Sequence, residues 1–160
     1  MPDAPDVDLI TPIRDERRRL LENQVSFTDT LRNRATAMLS VASIVAGLFG
    51  TKLATGTHSA PVLAAISVAL ALFASSALLS VKIMMLKGLG VGVDTGALVA
   101  RLEEGTAAST PYGMNYTLAK RYQDGYDRNV PVVERLNTQY MALCLLVGAQ
   151  VIAWAIAAWV

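Results

Sequence analysis

The chain has 160 residues, 53% of them hydrophobic and 6% aromatic, with a formal net charge of +1. A mean hydropathy of +0.41 is too high for an average water-soluble domain, and so small a net charge provides no bulk attraction to nucleic acid. A single cysteine, Cys144, excludes an intramolecular disulfide and a cysteine-based metal site, and the single histidine, His58, has no second ligand beside it in sequence.

Residues Met1–Leu9, with Asp3, Pro5, Asp6 and Asp8, read as a frayed acidic end. Thr11-Pro12 predicts a helix start. Thr caps well, Pro tolerates the first helical position, and Asp15 and Glu16 suit the first turn. From there Ile13, Leu20, Phe27, Leu31 and Met38 fall near helical spacing as a narrow apolar stripe that calls for a partner helix. The basic run Arg17-Arg18-Arg19 is either a solvated face or a contact with anionic lipid heads.

No glycine or proline separates this helix from the uncharged run Ala35–Thr51, so one helix is expected from Pro12 to Leu53, polar first and apolar after. The apolar run begins too deep in the chain for a secretory signal, so the hydrophobic segments are expected in the mature protein. A short turn, Ala54–Ser59, leads to a second uncharged run, Ala60–Val81, with Ser59 as N-cap and Pro61 in its first turn; Lys82 and Lys87 close it. Lys87–Gly96 is glycine-rich but lacks the Gly-Lys-Ser/Thr ending of a phosphate loop and follows an apolar helix rather than a strand, so it reads as a hinge before a short helix, Thr95–Glu104. Thr110-Pro111 repeats the cap-plus-proline start. The helix that follows carries Leu118, Tyr122, Val133, Leu136 and Tyr140 on one stripe, is expected to kink or break locally at Pro131, and enters a third uncharged run, Thr138–Val160.

A hydrocarbon core about 30 Å thick needs roughly 20 helical residues to cross it. Three runs meet or approach that length, so the fold class is all-α, an integral membrane helical bundle. Its three transmembrane helices cover 35–53, 60–81 and 138–160, and two of them extend into a cytoplasmic helical stalk formed by 1–34 and 82–137 within a single domain, 1–160. Of the 14 Lys and Arg residues, Lys52 alone falls opposite the two long polar segments. The positive-inside rule then places the N-terminus in the cytoplasm and the C-terminus outside, in a plasma (inner) membrane.

Ala42, Ala46 and Gly50 in the first span, Ser67, Ala71 and Ser75 in the second, and Ala149, Ala153 and Ala157 in the third lie at four-residue steps. Such small faces let helices approach closely in lipid, and three helices cannot use all of them internally, so a homo-oligomer is expected. Gln150 is the strongly polar side chain deep in a span and is read as an interhelical hydrogen bond rather than a pore lining. No nucleophile–base pair, HExxH or paired histidine is present, and Glu103-Glu104 points two ways around a helix. No enzyme, cofactor, metal or nucleic-acid partner is expected.

Two segments carry a resemblance: Leu31-Arg-Asn-Arg-Ala-Thr-Ala-Met-Leu-Ser40 flowing into the first span, and Leu118-Ala-Lys-Arg-Tyr-Gln-Asp-Gly-Tyr-Asp-Arg-Asn129 leading into the last. From about Asp29 the chain resembles the membrane modules of small prokaryotic antiphage effectors, the SLATT-type and Pycsar (PycTM) families. The resemblance implies a membrane effector that self-associates and perturbs the bilayer on a cyclic nucleotide signal. Arg32 and Arg34 at the first helix entry and the Asp127-Arg128-Asn129 turn match the pattern best. Arg32, Arg34, Lys120, Arg121 and Arg128 are the candidates for a ligand or lipid headgroup, and Pro131 for a hinge. The alternative is a structural or adaptor membrane protein whose stalk docks a partner.

Overall fold

The structure, a computed structural model, describes residues 7–53, 59–86, 89 and 110–159. The turn with His58, most of the glycine-rich stretch, the short helix expected at Thr95–Glu104, and Lys87 and Arg101 lie outside the described residues. Three helices make up the described chain: α1 (Val7–Leu53), α2 (Ala60–Met85) and α3 (Pro111–Trp159). All three are long and apolar enough to cross a membrane, and no strand occurs among the described residues. The fold is an all-α helical bundle.

Local capping chemistry sets the start of α3, is only partly realised at the start of α2, and does not set the start of α1. The Thr110 hydroxyl accepts the Gly113 N–H at 3.1 Å, so α3 starts with a capped turn and Pro111 at a position where no N–H is needed. Ser59 occupies the N-cap of α2 in an extended conformation, with proline just inside, but its hydroxyl makes no capping bond; its carbonyl accepts the Leu63 N–H instead. α1 begins at Val7 rather than at Pro12, which becomes an interior residue. Thr11 is therefore not a cap: its hydroxyl accepts the Asn115 amide of α3 at 3.5 Å. The local break expected at Pro131 is likewise absent, because α3 continues through that residue, which is exposed. The ring removes one ladder hydrogen bond, and the helix, 49 residues long, continues on the bonds of the residues around it.

The chain forms two compact units. One contains α1 up to Thr28 with α3 up to Val133; the other contains Asp29–Lys87 and Glu134–Val160. In the first unit, Arg14 meets Asn115, Arg17 meets Ala119 and Gln24 meets Tyr126, so the two helices run parallel. In the second, Ala42 meets Gln150 and Phe49 stacks on Trp154, again parallel, while Arg32 meets Leu86 at the far end of an antiparallel α2.

Burial follows a period of seven. On α1 the buried residues include Leu21, Thr28, Ala35 and Ala42; on α2 Val62, Ala69, Ser76 and Ile83; on α3 Asn129, Leu136, Leu143, Gln150 and Ala157. Positions repeated in this way keep one seam facing a neighbour when helices wrap around each other with a left-handed twist. On α1 the seam takes in Leu31 of the expected stripe, with Met38 half-buried, but before Leu31 it runs beside that stripe. Ile13, Leu20 and Phe27 are 48%, 40% and 43% exposed, whereas Leu21 and Thr28 are buried. The seam selects residues that fit a close approach, many of them small or hydroxylated, rather than the largest apolar ones. The apolar part of α3 is the most buried of the three: 33% of its most apolar window is buried, against 17% for α2 and 11% for α1.

Leu143, fully buried, and Leu145, 74% exposed, test the seam. Leu143→Ala should destabilise the bundle by about 2 kcal/mol through the void it leaves, while Leu145→Ala should change little. Denaturant titration in detergent micelles measures both.

Candidate functional site

The best-defined site in the second unit is a polar layer set into an apolar wall. Gln150 on α3 is fully buried, and its Nε2 donates to the Ala42 carbonyl on α1 at 3.0 Å. That carbonyl belongs to an alanine on the seam, so no side chain shields it, and its second lone pair remains open after the helical bond. One turn along α3, Trp154 is 1% exposed and packs with Ala69 and Ala153 against Val45, Ala46, Phe49, Ile66 and Leu72. Its ring stacks on Phe49 with centroids 6.2 Å apart and planes 12° from parallel. Gln150 Oε1 and Trp154 Nε1 have no hydrogen-bond partner among the described residues. The layer thus joins all three helices through one amide and one indole. Its chemistry is hydrogen bonding and stacking: neither group serves as a nucleophile or base at ordinary pH.

A second feature lies at the other end of this unit. The Arg32 guanidinium donates through Nη2 to the carbonyl of Leu86, the C-cap of α2, and through Nη1 to Asp29 at 3.2 Å. A cation there answers both the unsatisfied carbonyls and the negative end of the helix dipole. Arg32 is therefore engaged inside the chain. Arg34 is exposed.

In the first unit, polar side chains of α1 reach backbone or amide groups of α3. Arg14 Nη1 donates to Asn115 Oδ1 at 2.8 Å, Arg17 Nη1 to the Ala119 carbonyl at 3.2 Å and Gln24 Nε2 to the Tyr126 carbonyl at 3.4 Å. The basic run is thereby divided. Arg17 ties the helices together, and Arg18 pairs with Glu22 at 2.7 Å on an exposed face, where that carboxylate raises the guanidinium pKa. Arg19 is exposed. Lys120 and Arg121 line a shallow polar cleft on α3 with Tyr116, Thr117 and Asp124; Arg128 is exposed elsewhere. The cleft unites two of the five cationic candidates. Among the described residues no group of His, Cys, Asp and Glu could hold a metal ion.

The small faces divide as well. Ala42, Ala153 and Ala157 are buried, Ala46 and Gly50 half-buried, and Ala149 exposed. Ser67, Ala71 and Ser75 all face outward. The Trp154 stack was not legible from sequence, although a tryptophan one turn from a lone intraspan glutamine is the pattern that would have signalled it.

Gln150→Leu should cost about 1 kcal/mol or less, as interhelical hydrogen bonds in membranes generally do. Trp154→Ala should cost roughly 3 kcal/mol. Unfolding titrations of the two variants in micelles give the comparison, and a larger loss for Gln150→Leu would mean that the amide rather than the ring holds the layer.

No family model, no curated protein and no solved structure matches the chain.

Proposed function

We propose that the chain is a non-enzymatic integral membrane protein that acts by self-association, with its N-terminus in the cytoplasm and its C-terminus outside. One observation carries this reading: small-residue faces that the fold leaves outside its own seam. Ser67, Ala71 and Ser75 of α2 are exposed, as are Ser40, Ser43, Gly47 and Thr51 of α1. The hydroxyls of Ser67 and Ser75 turn back to the carbonyls of Leu63 and Ala71 at 2.9 and 2.8 Å, and Ser40, Ser43 and Thr51 do the same on α1. Each face is thus smooth and without free donors, suited to a second helix at close range in lipid. The resemblance at Leu31–Ser40 and Leu118–Asn129 supports the more specific form, a membrane-perturbing effector of an antiphage or toxin-like system responding to a cyclic nucleotide, with Pro131 as a hinge for the stalk.

A second reading rests on a different face. Ile13, Leu20 and Phe27 form a half-exposed apolar row along α1 in the first unit, which suits an adaptor that docks a partner helix.

Inducible expression with a membrane-potential dye, with and without cyclic pyrimidine nucleotides, tests the effector reading. The wild-type chain should crosslink to itself and depolarise cells. Ser67→Leu combined with Ser75→Leu should weaken self-association by roughly tenfold, about 1.4 kcal/mol, and reduce depolarisation in step. A monomeric chain that leaves the potential intact under every condition would rule out the effector and favour the adaptor.

A further inference from the structure

α2 ends in an outward-facing apolar trough with one cation in it. Leu78, Val81, Lys82, Met85 and Leu86 line it. Leu78 and Met85 are 74% and 76% exposed, whereas Ile83 on the opposite side of the same turns is fully buried. The positions recur at helical spacing, so the trough runs along the helix for its last two turns.

Two observations select its occupant. The role that normally falls to a basic residue in the last turn, neutralising the helix C-terminus, is taken here by Arg32, which holds the Leu86 carbonyl from α1. Lys82 is released from that role, and among the described residues it forms no ion pair. An uncommitted ammonium flanked by exposed apolar side chains has the amphipathic layout of a phospholipid, a chain against the trough and a phosphate at the cation.

We infer that the Leu78–Leu86 trough of α2 is a binding site for an anionic phospholipid, with Lys82 as its phosphate ligand. The inference rests on the membrane-spanning part of the proposed function and is independent of the effector part. A chain that binds the lipid without depolarising cells keeps this site and loses the effector.

The test uses the full chain released from mixed micelles of phosphatidylglycerol and phosphatidylcholine, with bound lipids counted by native mass spectrometry. The wild type should retain phosphatidylglycerol about fivefold over phosphatidylcholine, as expected for roughly 1 kcal/mol per cation near an anionic surface. Lys82→Gln should lose most of that preference and Lys82→Arg should keep it. Arg135→Gln removes the same charge elsewhere in the unit and should leave the preference intact. Carbonate-resistant membrane retention confirms that every variant is inserted. The site is overturned if Lys82→Gln retains the wild-type preference, if Arg135→Gln loses as much, or if the wild type shows none.

Discussion

The Gln150 amide reaches the Ala42 carbonyl only because two helices run side by side at a distance that alanine permits. A larger residue at position 42 would push the helices apart and cover the carbonyl. Close approach along the seven-residue seam is the constraint on which the second unit depends. It explains why so many seam positions are Ala, Ser or Thr, why Ser76 turns its hydroxyl back to the Leu72 carbonyl, and why the large ring of Trp154 sits against Ala69, where a small neighbour leaves room. Between helices that lipid would otherwise solvate equally well, packing and a few hydrogen bonds are the available adhesives.

Both units share a device: a long donor side chain on one helix bonds a main-chain carbonyl of another. Arg17, Gln24, Arg32 and Gln150 all do this. Helical carbonyls retain a second lone pair, and those at a helix end retain both. A donor of fixed length therefore sets the relative height of two helices without requiring a matching acceptor side chain. The arrangement also engages two cations that look available in sequence, Arg17 and Arg32, within the fold. Arg32 is the clearest case.

The described chain holds no charged side chain in its most buried layer, and the polar groups there are neutral. Such a core holds the helices together by packing and neutral hydrogen bonds. The faces left outside the seam are small on α2 and apolar along the first part of α1.

The sequence by itself determined the helices and their capacity to cross a membrane, because long uncharged runs have no other stable conformation in lipid and the Thr110-Pro111 cap acts within one turn. It also indicated Gln150 as a bridge, since a lone amide amid hydrocarbon requires a partner. What only the tertiary structure decided was which face of each helix is inside. Ile13, Leu20 and Phe27 have the bulk expected of a core stripe, yet the seam runs one residue further, through Leu21 and Thr28. Neighbouring residues on a helix point about 100° apart, and the choice between them depends on how closely the partner helix can approach. The start of α1 at Val7 and the passage of α3 through Pro131 show the same limit of local signals, since each helix continues past a residue that by itself favours a boundary.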